Sequence, residues 1–232
     1  MALILCEEFV SIQGEGSKSG ILSQFIRLAG CNLKCSFCDE PKHVDSKRFY
    51  KILPDELARK AINSQVGWVV LTGGEPTMQK DIVKVIKALQ DYDIKVSVET
   101  NGYDLDLVNK ADLITWSPKY NFEEAFLNNT EVEGAKKPEL FVNTELDVKI
   151  PYPSKVPEEK LLSYIKFLGS FLYEVPNKCN VFLTPINNKL DVDRHNVQAA
   201  YNFIDSNRVV KFGNSTVHLN LNTQVHKFLG LR

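Results

Sequence analysis

Hydrophobic residues along the chain fall into short runs that alternate with longer amphipathic stretches. The short runs are rich in β-branched and apolar residues and are bounded by turn-forming residues, which is typical of β-strands. We predict strands at Ser23–Leu28, Trp68–Thr72, Lys95–Glu99, Asp112–Trp116, Glu145–Ile150, Asn180–Thr184 and Thr216–Leu221.

The amphipathic stretches have the spacing of helices. Ile82, Val85, Ile86 and Leu89 recur at positions that share one helical face. They follow Asp81, a residue type that commonly caps a helix at its N-terminus. We predict helices at Pro54–Gln65, Asp81–Gln90, Glu158–Leu168 and Asp193–Asn207.

This alternation of strands and helices predicts parallel βαβ units. Two strands that look buried end in turn chemistry, at Thr72–Gly74 and at Glu99–Gly102. In parallel α/β folds, ligands bind beyond the carboxyl ends of the strands. The polar turns therefore lie where we expect a binding site.

The size and composition indicate one globular unit. The chain has 232 residues, of which 44% are hydrophobic and 25% charged, so residues 1–232 are expected to form a single domain. The polar, poorly periodic segment Asn121–Val142 is expected to be a loop or irregular insertion. A net charge of −1 excludes a broad basic field for nucleic acid. We find no signal peptide and no apolar run near the length of a membrane span, which predicts a cytoplasmic protein without membrane contact.

Three of the five cysteines lie within eight residues, in the pattern C-x3-C-x2-C at Cys31, Cys35 and Cys38. In a reducing cytoplasm such a cluster indicates a metal site. Three thiolates on one tight loop can hold an iron–sulfur cubane in which one iron has no protein ligand, whereas ferredoxin-type runs supply a fourth cysteine.

Two other readings of this loop stay open from spacing alone. Structural zinc needs four ligands, and Cys6, Cys179 or His43 could supply the fourth. Three inert buried thiols are the other alternative. The polar neighbours Lys34, Ser36 and Asp39 argue against that one.

The loop resembles the signature of the radical S-adenosylmethionine (SAM) superfamily, C-x3-C-x-aromatic-C, with Phe37 in the aromatic position. The stretch Leu71–Pro76, about 35 residues downstream, is similar to the superfamily's second-strand element. The resemblance implies an α/β fold, a partial (incomplete) TIM-like barrel of the radical SAM type. It also implies a 4Fe–4S cluster and SAM, whose amino group is received by glycine backbone and an acidic side chain.

Within the superfamily, the chain resembles the 7-carboxy-7-deazaguanine synthases. The Gln-Gly-Glu-Gly loop is the most discriminating part of this resemblance. The similar stretches are Glu8–Gly16, Gly20, Phe25–Cys31, Cys38-Asp39, Thr72–Pro76, Glu99–Gly102, Ser117–Lys119 and Gln224–His226. The resemblance implies a carbon–nitrogen lyase that converts 6-carboxy-5,6,7,8-tetrahydropterin to 7-carboxy-7-deazaguanine. The pterin ring contracts by radical chemistry with loss of ammonia, and the product is a precursor of deazapurines such as queuosine.

The same resemblance implies site residues. No catalytic residue is implied beyond the cluster and SAM. Substrate is expected at Ile12, Gln13, Gly14, Glu15, Arg27 and Thr72, and the 4Fe–4S cluster at Cys31, Cys35 and Cys38. SAM is expected at Phe37, Cys38, Asp39, Gly73, Gly74, Glu75, Ser117, Pro118, Lys119, Thr184, Pro185, Ile186 and Asn187. Gln13 can donate and accept hydrogen bonds whereas Glu15 only accepts, which suits the edge of a pterin, and the Arg27 fork suits the substrate carboxylate.

Three features depart from the family pattern. Glu40 stands where a threonine that ligates Mg²⁺ is common, and a carboxylate is also a competent Mg²⁺ ligand. Thr184-Pro185 replaces a frequent Gln-Pro, and Pro41–Asp45 lacks an expected aromatic residue. His226 could close over the substrate or cap the fold, whereas His195 and His218 are expected to be structural.

Partners follow from the same reasoning. An incomplete barrel has an edge that must be covered, so a homodimer is expected. A flavodoxin or ferredoxin-type reductant is expected near the cysteine loop, where Lys34, Lys42, Lys47 and Arg48 would suit an acidic surface. Two rival functions remain: an activase of glycyl-radical enzymes, whose substrate is a protein, and a zinc-binding module without catalysis.

Overall fold

The computed structural model describes residues 2–40, 49–119, 144–153, 157–172, 179–187, 192–212 and 215–231. Some predictions lie outside these residues. They concern the loop Asn121–Val142, the segment Pro41–Asp45 with His43, and the basic residues Lys42, Lys47 and Arg48.

One open sheet of ten strands organises these residues. Its spatial order is β3-β1-β2-β4-β5-β6-β7-β8-β10-β9, so it ends in two edges and does not close. The strands β2, β4, β5, β6, β7, β8 and β10 run parallel, while β1, β3 and β9 pair antiparallel with their neighbours. The strands are β1 (Leu3–Ile12), β2 (Leu22–Leu28), β3 (Tyr50–Ile52), β4 (Trp68–Gly73), β5 (Lys95–Thr100), β6 (Leu113–Trp116), β7 (Glu145–Tyr152), β8 (Cys179–Pro185), β9 (Val209–Phe212) and β10 (Ser215–Leu221).

The helices cover the sheet and match the predicted helical stretches closely. They are α1 (Pro54–Asn63), α2 (Ile82–Gln90), α3 (Glu158–Leu172), α4 (Arg194–Ser206) and the short C-terminal α5 (Val225–Phe228). An open sheet of parallel strands flanked by helices confirms the predicted partial TIM-like barrel. Within the described residues, no helix is both long and apolar enough to cross a bilayer.

Helix α2 shows how the hydrophobic pattern builds the core. Ile82, Val85, Ile86 and Leu89 are all buried, as their spacing predicts, and each contributes on the order of 1.5–3 kcal/mol. Asp81 precedes the helix, but it makes no capping hydrogen bond. Its backbone is already helical (φ −73°, ψ 0°), and its carboxylate pairs with Lys84 Nζ at 2.7 Å.

The two faces of the sheet differ in polarity. Residues such as Val96 and Val98 pack beneath the helices in the hydrophobic core. The alternate residues form rows across the strands. In one such row Glu99 pairs with Thr115, and Thr115 with Asp147. The polar face therefore collects side chains that can bind a ligand.

Candidate functional site

The cysteine loop, residues 30–39, leaves the sheet at the carboxyl end of β2 and rests on the turn after β4. The backbone N–H of Gly74 donates to the Leu28 carbonyl at 2.9 Å, and that of Glu75 donates to the Gly30 carbonyl at 2.7 Å. A Cβ at Gly74 would overlap the Gly30 carbonyl oxygen. Glycine is therefore needed here because the cysteine loop approaches so closely.

This contact gives a testable prediction. Gly74→Ala is expected to displace the cysteine loop, to cost about 1–3 kcal/mol of unfolding free energy, and to lower the iron bound after reconstitution. Gly67→Ala is the matched control because a Cβ there would meet open space, so its change should stay within about 0.5 kcal/mol. Urea denaturation and iron analysis measure both effects. Normal stability and iron content in Gly74→Ala would show that the contact is dispensable.

The three cysteines of the loop form no disulfide with any described residue and are only partly buried. Cys31 Sγ accepts from the Leu33 backbone N–H at 3.4 Å and from Asn101 Nδ2 at 3.9 Å. Burial raises the pKa of the Cys31 thiol, while the Leu33 donor lowers it. Three partly accessible thiols, with N–H donors beside the Cys31 sulfur, fit an iron–sulfur cluster, whose sulfurs accept such hydrogen bonds.

The zinc reading finds no support in the geometry. Among the described residues, no three His, Cys, Asp or Glu side chains lie close enough to hold a single metal ion. Cys179 is the first residue of β8, whereas the cysteine loop lies at the opposite, carboxyl end of the parallel strands. Burial instead raises the pKa of the Cys179 thiol to about 12, as expected for an inert cysteine.

Glu75 has a role that its motif does not predict. Its side chain is fully buried. Oε1 accepts from Thr77 N at 3.0 Å, Thr77 Oγ1 at 2.7 Å and Thr100 Oγ1 at 2.6 Å, and Oε2 accepts from Asn101 N at 2.6 Å. The carboxylate thus joins the turns after β4 and β5. The expectation that it receives the amino group of SAM does not fit this burial.

The Gln-Gly-Glu-Gly loop crosses the polar face and is held by the C-terminal motif. Gln224 Nε2 donates to Glu15 Oε1 at 2.6 Å, and Val225 N donates to the Gly14 carbonyl at 3.0 Å. The His226 ring lies against Gly14 so closely that a Cβ there would overlap Nδ1. His226 therefore packs on the loop, and burial lowers the pKa of its imidazole against the opposing effect of Glu15.

Glu15 and Lys149 form an ion pair at the centre of this face, with 2.6 Å between Nζ and Oε2. Burial alone would raise the pKa of Glu15, but the Lys149 charge and hydrogen bonds from Lys149 and Gln224 lower it to about 2. Burial favours neutral Lys149, but the charges of Glu15 and Glu99 raise its pKa above the usual value. Both groups are therefore charged at neutral pH.

The predicted substrate residues Gln13 and Thr72 meet at Glu99. Gln13 Nε2 donates to Glu99 Oε1 at 3.1 Å, and Thr72 Oγ1 donates to Glu99 Oε2 at 3.2 Å. Lys149 Nζ lies 3.7 Å from Glu99 Oε1. Because 23% of the Glu99 side chain is exposed, its carboxylate can also meet a ligand.

Arg27 lies beside this group on an inner strand. It pairs with Thr72 in the parallel register of β2 and β4. Its Nε donates to Glu7 Oε1 at 2.9 Å, and the guanidinium lies 5.8 Å from the centre of the Phe9 ring. These contacts keep the Arg27 side chain partly buried. Because β2 lies between β1 and β4, Arg27 is not on an edge strand.

The predicted SAM residues line the ends of neighbouring strands. Ser117 follows β6, and its Oγ donates to the Lys149 carbonyl at 3.0 Å. Lys119 Nζ lies 5.9 Å from the centre of the Phe37 ring. Burial, aided by the charge of Lys149, lowers the pKa of Lys119. Pro118 is buried between them.

The end of β8 is tied to the C-terminal motif. Thr184 Oγ1 accepts from Asn222 Nδ2 at 3.0 Å, and Asn187 Nδ2 donates to Gln224 Oε1 at 2.8 Å. Ile186 N donates to the Tyr152 carbonyl at 2.6 Å, which continues the pairing of β7 and β8. Asp39 is exposed and Glu40 partly buried at the far end of the cysteine loop. Their roles stay predictions.

Four site residues were missed by sequence reasoning as individual candidates: Glu99, Lys149, Asn222 and Gln224. Glu99 and Gln224 fall within stretches that carried the family resemblance. Lys149 had a signal of its own, because Glu145, Asp147 and Lys149 alternate with apolar residues along β7. Nothing in the sequence identifies Asn222.

Comparisons with known proteins agree with this geometry. The model of the Radical SAM superfamily matches residues 25–116. QueE from Escherichia coli has a similar fold, with a TM-score of 0.68 over 97% of this chain and 95% of that chain at 18% identity. The open sheet and the cysteine loop thus define a radical SAM protein.

Sequence relatives show which family within the radical SAM superfamily the chain resembles. A 7-carboxy-7-deazaguanine synthase from Clostridium acetobutylicum is 32% identical over 184 residues, covering 78% of this chain and 80% of that protein. One from Rhodopirellula baltica is 42% identical over 118 residues, covering 51% of this chain but 46% of that protein. The chain belongs to the 7-carboxy-7-deazaguanine synthase family. The matches give no support to the zinc-module or activase readings.

Proposed function

We propose that residues 1–232 form a single radical SAM domain that converts 6-carboxy-5,6,7,8-tetrahydropterin to 7-carboxy-7-deazaguanine with loss of ammonia. The observation that carries the proposal is the polar face beside the cysteine loop, where Gln13, Thr72 and Glu99 converge. Membership in the synthase family supports the same reaction.

The cysteine loop provides for the cofactors. Cys31, Cys35 and Cys38 would hold three irons of a 4Fe–4S cluster, leaving the fourth to an exogenous ligand. When bound, the cluster and SAM supply a 5′-deoxyadenosyl radical, which abstracts hydrogen from the substrate. Backbone groups of Gly73 and Gly74 and the strand ends at Ser117–Lys119 and Thr184–Asn187 are the proposed SAM contacts.

The substrate is proposed to bind across the polar face. A pterin presents adjacent N–H donors on its pyrimidine edge, and the partly exposed Glu99 carboxylate can accept from both. Gln13 can pair with a neighbouring donor or acceptor, and Arg27 suits the substrate carboxylate. The Glu15 carboxylate already accepts hydrogen bonds from Lys149, Asn222 and Gln224. Its proposed role in substrate binding is therefore to hold the Ile12–Gly14 segment in place.

A direct assay tests the reaction. The reconstituted protein is incubated without oxygen with SAM, dithionite and the carboxypterin, and the products are identified by mass spectrometry. We expect 7-carboxy-7-deazaguanine and ammonia. Cleavage of SAM without any change in the pterin would contradict the substrate assignment.

Variants of Arg27 test the binding mode. Arg27→Lys keeps the charge but loses the planar fork, so KM for the carboxypterin should rise about 10- to 100-fold, the loss expected for a hydrogen bond to a charged group. SAM cleavage in the absence of pterin should change by less than about twofold. Arg208→Lys is the control because Arg208 lies exposed with Asp205. An unchanged KM in Arg27→Lys would remove Arg27 from the site.

Further parts of the proposal concern the metal, the partners and the location. Mg²⁺ is proposed at Glu40, whose carboxylate is a suitable hard ligand.

A homodimer would cover a sheet edge, and a flavodoxin or ferredoxin-type protein would dock near Lys34, which is exposed on the cysteine loop. A reducing cytoplasmic location suits cysteines that form no disulfide among the described residues.

A further inference from the structure

Asn101 follows strand β5, and its side chain lies against the cysteine loop. Two hydrogen bonds fix its backbone. Its N–H donates to Glu75 Oε2 at 2.6 Å, and its carbonyl accepts from Trp116 Nε1 at 3.3 Å. Glu75 is itself fully buried. The residue is therefore held in place by the framework that joins β4, β5 and β6.

A third contact orients the carboxamide. Asn101 Oδ1 accepts from the Tyr103 backbone N–H at 3.1 Å, so the amide nitrogen must point the other way, toward the cysteine loop. There Nδ2 donates to Asn32 Oδ1 at 2.9 Å and to Cys31 Sγ at 3.9 Å. An amide nitrogen carries two hydrogens, and each has one acceptor.

We propose that Asn101 is a positioning residue for the iron–sulfur cluster, whose side-chain N–H to the Cys31 sulfur raises the reduction potential of the cluster. One-electron reduction by an external low-potential donor adds negative charge without forming or breaking a bond. An N–H donor near a ligating sulfur stabilises that added charge. Leu33 N already donates to the same sulfur at 3.4 Å, so Asn101 supplies a second donor. The inference depends on the cluster and is independent of the pterin substrate.

The test is a redox titration of the reconstituted protein, followed by the EPR signal of the reduced cluster. In Asn101→Leu the ratio of reduced to oxidised cluster at a fixed potential should fall about threefold. That corresponds to about 30 mV at 59 mV per tenfold for one electron. Asn101→Asp keeps the acceptor for Tyr103 but replaces the donor with negative charge, so its ratio should fall further.

Asn32→Ala is the matched control because it removes the other partner of the amide and leaves the Cys31 contact. Its potential should equal that of the unaltered protein, with the same iron content. Equal potentials in all variants would overturn the proposal, as would equal shifts in Asn32→Ala and Asn101→Leu. If Asn101→Leu binds no iron, the reduction potential of the cluster in Asn101→Asp is compared with that of the Asn32→Ala control instead. Loss of iron in both Asn101 variants would assign the residue to building the loop and would also overturn the proposal.

Discussion

Replacing Cys35 by alanine is expected to reduce iron binding and 5′-deoxyadenosine formation to background. Two remaining thiolates cannot hold a cubane that depends on three cysteine ligands from this loop. Anaerobic reconstitution followed by iron analysis and chromatography of the SAM products measures both losses.

Cys179→Ala is the control for this loss. Cys179 begins strand β8 and packs against the hydrophobic core, far from the carboxyl ends of the strands. Its replacement should cost on the order of 1 kcal/mol of stability while leaving the iron content unchanged. A Cys35→Ala protein with a full cluster and normal SAM cleavage would mean that the cysteine loop is not the cluster site.

Replacing Lys149 by methionine is expected to destabilise the protein by about 3–5 kcal/mol, the usual cost of leaving a buried charge without its partner. The Glu15 carboxylate, only 14% exposed, would keep Gln224 and Asn222 as donors but lose its cation. Urea denaturation at pH 7 measures the change. In Lys149→Met with Glu15→Gln, part of the stability should return because position 15 no longer carries a buried charge without its cation.

Lys18→Met provides the comparison for a more exposed ion pair. Lys18 Nζ lies 2.7 Å from Glu145 Oε2, with side chains 21% and 39% exposed, so its loss should cost about 0–1 kcal/mol. Equal small effects in the Lys18 and Lys149 variants would contradict the central role given to the buried pair.

The same pair predicts a dependence of stability on pH. The pKa of Glu15 falls from its usual value of 4.5 to about 2 in the folded protein, so its contribution is complete above about 4.5 and is lost as the pH falls toward about 2. In Lys149→Met the pKa of Glu15 should rise because burial is then unopposed by the ammonium. The part of the acid-induced loss of stability that comes from Glu15 should therefore shrink in Lys149→Met, and Glu15→Gln should remove it altogether.

Local patterns predicted much of the fold because the parallel strands and long helices carry their own hydrophobic periodicity. Strand β4 begins at Trp68 as predicted and ends one residue later. Strand β1 was missed because Cys6, Glu7 and Glu8 interrupt its apolar run, and its place depends on antiparallel pairing with β2 and β3. Strand β9 has only four residues and is defined by its pairing with β10.

For the site, contiguous motifs could be recognised, but their long-range partners could not. The Gln-Gly-Glu-Gly loop signalled a binding element, yet the cation for Glu15 is Lys149, more than a hundred residues downstream. The acidic residue after Gly73-Gly74 was noted, but only the fold brings Thr100 and Asn101 to Glu75 and buries it. Motifs in the sequence identify candidate side chains for a site. Contacts formed in the folded protein decide which of these side chains remain available to a ligand.

The most direct test is the EPR spectrum of the reconstituted, dithionite-reduced protein before and after addition of SAM, together with metal analysis. We expect about four irons per chain and a cluster signal that changes when SAM binds, as required if Cys31, Cys35 and Cys38 leave one iron open to it. A protein that contains zinc in place of iron, or a cluster signal that SAM leaves unchanged, would contradict the assignment of these three thiols.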